Sequence, residues 1–144
     1  MYFKKLIGKK CYLSPIDVND AEKFTEWLND MEILVNLQLY GGVISLENER
    51  TFLSDLSKSH NYSIIDLETN ELIGNCGFLD IDHINQTSEV GIFIGNKKYW
   101  NKGFGTEALS LLVDYGFKAL NFHNIMLRTY EFNKGGIRCY ENRF

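Results

Sequence analysis

With 144 residues, 44% of them hydrophobic and 14% aromatic, the chain has the length of one domain with a real core and is too apolar for a disordered segment. A formal net charge of −4 excludes bulk attraction to nucleic acid and leans toward a cationic small substrate. Cys11, Cys76 and Cys139, with His60, His83 and His123, show no metal-ligand spacing, and no apolar run approaches membrane-spanning length. The expectation is no metal, no membrane, no nucleic-acid partner, and a cytoplasmic location with reduced thiols.

Lys10–Ser14 reads as a first strand stopped by Pro15. Asn19 with Glu22 three residues later has the form of a capping box, and Ala21, Phe24, Trp27, Leu28 and Met31 follow at helical spacing. Leu34–Val43 ends in Gly41-Gly42 and reads as a loop or a broken helix. Ser45 caps a second helix to about Ser57, with Leu46, Phe52, Leu53 and Leu56 inward. Tyr62–Asp66 and Leu72–Asp80 form a hairpin around the polar turn Glu68-Thr69-Asn70-Glu71. After a second polar turn, Asp82–Thr87, comes the strand Ser88–Gly95. A long helix from about Gly105 to Leu120 turns Ala108, Leu109, Leu112, Tyr115 and Leu120 to the sheet. Asn124–Thr129 is a further strand and Lys134–Asn142 a final short helix. The long helix connecting Ser88–Gly95 to Asn124–Thr129 makes that strand pair parallel. This is a mixed α/β (α+β) arrangement of three layers over residues 1–144, read as a single domain.

The chemistry sits in Tyr99-Trp100-Asn101-Lys102-Gly103-Phe104-Gly105-Thr106-Glu107. A glycine-spaced loop between strand and helix exposes backbone N–H groups at the positive end of a helix, which suits a phosphate. Gly103-x-Gly105-x-x-Ala108 matches the dinucleotide fingerprint as a bare pattern, which admits a small nucleotide-binding oxidoreductase. That reading wants the glycines directly after the strand, whereas seven residues separate Gly95 from Gly103. No Gly-Lys-Ser/Thr is present, so a P-loop is excluded by residue type. The bland alternative is a tight turn that glycine merely permits.

Trp100-x-x-Gly103-x-Gly105, after Glu89-Val90-Gly91 and before Thr106-Glu107-Ala108-Leu109, resembles the acetyl-CoA motif of the GNAT superfamily of N-acetyltransferases. Asn133-Lys134-x-x-Ile137-Arg138-x-Tyr140, Asp114-Tyr115-Gly116-Phe117 and Leu72-Ile73-Gly74 extend the resemblance over nearly the whole chain. It is most similar to the branch with the ribosomal-protein N-terminal and the spermidine acetyltransferases. The resemblance implies a GNAT-like three-layer fold, with a mixed, mostly antiparallel central sheet and helices on both faces. It further implies an acetyl-CoA-dependent enzyme that moves an acetyl group directly to a primary amine. A protein N-terminus, a polyamine and a small amine such as a metabolite or an aminoglycoside all remain open as the acceptor.

Carried over by position, the N–H groups of Trp100, Asn101, Lys102, Gly103, Phe104, Gly105 and Thr106 would hold the coenzyme pyrophosphate, with the Thr106 hydroxyl and the Lys102 charge beside them. The backbone at Phe93, Ile94 and Gly95 would bind the pantetheine arm where two strands splay, and Asn133 would contact that arm. Tyr140 would act as general acid toward the departing thiolate and Glu89 as general base. Asp80 and Asp82 are candidates to line a cationic acceptor site. Two features depart from the family: Gly135-Gly136 where Arg-Ala or Lys-Ala is usual, and an end at Glu141-Asn142-Arg143-Phe144 where relatives continue into a further strand. They predict a sheet lacking its C-terminal strand or strands, an exposed edge open to homodimerisation, and, as an alternative function, a catalytically weak coenzyme A-binding module.

Overall fold

The structure is a computed structural model, and it describes residues 1–33 and 44–127. Strands β1 (Leu6–Ile7) and β2 (Cys11–Pro15) lead through a 3-10 turn at Val18–Asp20 into α1 (Ala21–Leu28). Helix α2 (Leu46–Leu56) precedes β3 (Asn61–Asp66), β4 (Leu72–Asp82) and β5 (Thr87–Ile94). A second 3-10 turn, Lys97–Tyr99, then leads into α3 (Phe104–Lys118) and β6 (Asn124–Leu127). Among the described residues, these six strands form one sheet in chain order. Every pairing is antiparallel except β5 with β6, which runs parallel as the long crossover requires.

Alternation along the strands divides the core in two. Cys11, Leu13, Tyr62, Ile64, Cys76, Phe78 and Val90 face α3, which buries Ala108, Leu109, Leu112 and Val113. Tyr12, Ile65 and Leu72 face the other way, onto Phe24 and Trp27 of α1 and Leu53 of α2. Each fully buried leucine contributes about 1.5–3 kcal/mol relative to exposure. Helices therefore cover both faces, and the sheet carries the α+β fold class expected of it.

Several local expectations change. The first strand pair was invisible: β1 is two residues long, and its partners Leu13 and Tyr12 lie beyond a turn. Asn19 and Glu22 form no capping box; Asp17 accepts the Asn19 N–H at 2.9 Å, because the 3-10 turn moves the cap upstream of α1. Met31 is 64% exposed because α1 ends at Leu28, and Ile33 fills the core instead. Phe52 is 47% exposed, while Glu49 is buried. On α2 the stripe runs through Leu46, Glu49, Leu53 and Leu56, and the 100° step places Phe52 at its edge. Ser45 does cap α2, accepting from the Asn48 N–H at 3.1 Å. The readings of 34–43 as a loop or broken helix and of Lys134–Asn142 as a helix, and the expectations for Asn133 and Tyr140, lie outside the described residues.

Candidate active site

The site lies along the second half of β5. Among the described residues, β6 pairs with Thr87–Val90, while Gly91–Ile94 are held by β4 alone. Two bonds reveal which polar groups look outward along that stretch. Gly95 N–H donates to the Ile73 carbonyl at 3.1 Å, so Gly95 faces β4. Trp100 Nε1–H donates to the Ile94 carbonyl at 2.8 Å from the opposite side. Backbone polarity alternates along a strand, so Phe93 shares the direction of Gly95, and Ile92 that of Ile94. Of the three residues expected to offer backbone to a ligand, Ile94 points away from β4, with Ile92 beside it. Phe93 and Gly95 turn their polar groups to β4.

The side chains of this segment have other work. The Phe93 ring packs 6.1 Å from both Phe24 and Trp27. Gly95 lies under Trp27 so closely that a Cβ would stand 2.1 Å from Trp27 Cε3. Glu89 shares the α1/α2 face with Phe93, roughly 13 Å along the strand at 3.3 Å per residue. It sits opposite Leu79 on β4 and Met126 on β6, half-buried, with one carboxylate oxygen shielded from solvent. Between Glu89 and Phe93, Gly91 stands opposite Gly77 on β4, and Leu79 leans over Gly91.

The loop before α3 is braced from several directions. Tyr99 is buried, and its hydroxyl donates to Asp66 Oδ2 at 2.6 Å with Glu71 Oε2 at 3.0 Å. Burial pulls the Asp66 carboxyl upward, but the Tyr99 hydroxyl and the N–H groups of Glu68 and Thr69 outweigh it and hold it below the usual range. The same surroundings push the Tyr99 phenol well up. Lys97 pairs with Asp30 and Glu32 at 2.7 Å each, tying the turn to the end of α1. The Trp100 indole ties the loop to the end of β5, and the Phe104 ring lies edge-on to Tyr99 at 4.8 Å. Both aromatic side chains therefore brace the loop, leaving the backbone to meet a ligand.

Asn101 (φ 59°) and Gly103 (φ 86°) adopt the left-handed conformation, which Asn tolerates and Gly favours. Gly103 is the N-cap of α3 and provides no side-chain cap. The N–H groups of Phe104, Gly105 and Thr106 have no carbonyl one turn back within the helix. They converge at the positive end of a 15-residue helix, a built anion seat. Lys102 is exposed at its rim and Thr106 half-buried.

The sequence reading missed one partner entirely. Glu107, one turn into α3, turns its carboxylate back to the β1–β2 turn and accepts the N–H groups of Lys9, Lys10 and Cys11 at 2.8 Å each. Its partial burial raises its pKa, but these three donors overcome that and keep it below the ordinary glutamate value. Lys10 Nζ donates to the Lys102 carbonyl at 2.9 Å. The only local signal was an acidic residue in a first helical turn, which the helix dipole alone would explain. Asp82 accepts the Ile84 and Asn85 N–H groups within its own turn, and those bonds hold its pKa low. Among the described residues no group of three His, Cys, Asp or Glu side chains is placed to hold a metal ion.

Among the described residues, a six-stranded sheet with one parallel junction and an uncapped helix mouth after β5 form a scaffold suited to a coenzyme A-type acyltransferase. Comparison with known proteins agrees: the model of the acetyltransferase (GNAT) domain family matches residues 10–142. The chain belongs to the GNAT acetyltransferase family and is an enzyme of the N-acetyltransferase class. It is 32% identical over 138 residues to the uncharacterized N-acetyltransferase p20 of Bacillus licheniformis, covering 92% of this chain and 77% of that protein. It is 28% identical over 131 residues to the spermidine N(1)-acetyltransferase of Escherichia coli K12, covering 90% of this chain and 63% of the relative. The crystal structure of a GNAT-family acetyltransferase from Bacillus anthracis superposes with a TM-score of 0.84 at 25% identity, covering 99% of this chain and 82% of that one.

Proposed function

We propose that this enzyme moves the acetyl group of acetyl-CoA directly to a primary amine, with a polyamine or a protein N-terminus as acceptor. The observation that carries the reading is the uncapped mouth of α3, tied by the Trp100 indole to the end of β5. The residues fit the coenzyme: the N–H groups of Phe104, Gly105 and Thr106 meet the pyrophosphate, and the left-handed Gly103 keeps side-chain bulk from the approach. The bound thioester supplies an activated acetyl group. The Ile92 and Ile94 backbone lines the arm, and the Ile94 N–H is the donor suited to the thioester oxygen. Asn133 meets the same arm.

Glu89 takes a proton from the ammonium of the acceptor, directly or through one water, from the α1/α2 face. The free amine then bonds to the acetyl carbon as the carbon–sulfur bond breaks; Tyr140 gives its proton to the leaving thiolate, and its phenolate takes up the second proton shed by the nitrogen as the neutral amide forms. The acidic overall balance and the named activity of the Escherichia coli relative support a cationic acceptor. A cytoplasmic location is part of the proposal and suits the free thiols of Cys11 and Cys76. The test is calorimetric titration with acetyl-CoA, NADH serving as control, followed by thiol release with spermidine and with an unblocked peptide. Saturable binding of acetyl-CoA alone, and turnover that falls in Tyr140→Phe while coenzyme affinity holds, supports the reading. A folded protein that ignores acetyl-CoA refutes it.

A further inference from the structure

We infer that Glu107 is a positioning residue for the cofactor loop, setting the mouth of α3 against the β1–β2 turn and holding its own negative charge away from that mouth. The inference rests on the coenzyme reading above for the identity of the ligand. A glutamate in a first turn ordinarily lies near the open N–H groups, stabilised by the dipole and by reaching back to the cap. There it competes with a phosphate and repels it. In this chain the carboxylate has been given a different set of donors, three consecutive N–H groups at 2.8 Å from the β1–β2 turn. Three bonds to an ionised acceptor, each roughly twice as strong as a neutral one, anchor the carboxylate in this seat.

The turn is shaped for this carboxylate. A Cβ at Gly8 would stand 2.6 Å from Glu107 Cδ and 2.7 Å from its Oε2, so only glycine leaves the acid its seat. The same turn holds the loop a second time, since Lys10 Nζ reaches the Lys102 carbonyl at 2.9 Å and lies 5.4 Å from the Phe104 ring centre. The two ties fall on either side of Gly103, the left-handed residue at which the loop becomes a helix. A turn more than 90 residues upstream thus fixes the direction in which the N–H groups of Phe104, Gly105 and Thr106 point.

Two substitutions disturb the seat by different routes. Glu107→Gln keeps the shape, removes the charge and sets an amide NH2 among three N–H donors. Gly8→Ala keeps the carboxylate and pushes it aside; the obstructing atoms are the far end of a flexible side chain, so the fold yields cheaply. Each should raise the acetyl-CoA dissociation constant and KM roughly tenfold, the scale of one lost charge-assisted bond. The acceptor KM and the kcat at saturating acetyl-CoA should stay within about twofold, as expected of a lost ground-state binding contact. Gly116→Ala, whose Cβ meets Phe78 and Ile125 in the core, is the control for stability loss alone and should leave the acetyl-CoA KM unmoved. Wild-type binding with both variants unchanged, or a control that weakens acetyl-CoA as much as they do, overturns the inference and leaves the coenzyme reading standing. A wild-type protein that does not bind acetyl-CoA overturns both. If Glu107→Gln does not fold, Gly8→Ala decides the matter by itself.

Discussion

Gly103→Ala isolates the contribution of backbone conformation to the cofactor loop. At φ 86° an L-residue is strained whatever its surroundings. The nearest atoms to the new Cβ are Lys10 Nζ at 3.5 Å and Cε at 3.8 Å, ordinary contact, so no clash contributes. The left-handed conformation costs about 1–2 kcal/mol for a residue with a Cβ. Alanine also stiffens the unfolded chain, which offsets about 0.4–1 kcal/mol of that strain. The net expectation is a loss of about 1 kcal/mol or slightly more, equivalent to roughly 2–4 °C in Tm for a chain near 150 residues. Urea denaturation measures the loss and calorimetric titration reads its effect on acetyl-CoA. The chain can also escape the strain by turning φ negative, which tilts the Phe104–Thr106 N–H groups off the ligand; affinity then falls more than stability. Gly105→Ala is the paired measurement. Gly105 lies inside α3, where alanine is favoured by roughly 0.5–1 kcal/mol, so this variant should gain stability and lose affinity. Unchanged stability together with unchanged affinity in Gly103→Ala would refute the assignment of this loop.

Gly95→Ala should destabilise by about 1–3 kcal/mol through overpacking, because its Cβ meets the rigid Trp27 ring at 2.1–2.3 Å; an unshifted thermal midpoint would show that the ring is free to move. Glu107 and Asp66 both have folded-state pKa values below their usual ones. Their stabilisation is therefore complete above the unfolded carboxylate values near 4 and is lost as pH falls through the folded values. Urea midpoints measured from pH 7 downward should drop on the acid side, and less steeply in Glu107→Gln. Glu49, raised by burial, works in the opposite sense: its contribution is present at acid pH and lost as pH rises, so Glu49→Gln should stabilise at pH 7 and do little near pH 3.

The strand–loop–helix unit was legible in the sequence because its signals are local. Glycine spacing marks the loop, helical periodicity marks Ala108, Leu109 and Leu112, and polar turns mark the hairpins. The parallel β5–β6 junction followed from the length of the helical crossover. The β1–β2 pair was not legible, since two residues carry no periodicity and the pairing needs a sheet to join. The exposure of Phe52 and the burial of Glu49 depend on which side of α2 meets α1, and apolar character alone does not decide that. The site divides along the same line. Gly103, Gly105 and the strand end at Ile94 announced themselves by residue type and order. That Trp100 and Phe104 are braces, that Gly95 and Phe93 turn toward β4 while Ile92 and Ile94 turn outward, and that Glu107 sits in a turn built from Gly8 to Cys11 were decided by tertiary structure. Strand register sets the first two and contact across more than 90 residues sets the last, and neither quantity is carried by any window of neighbouring residues.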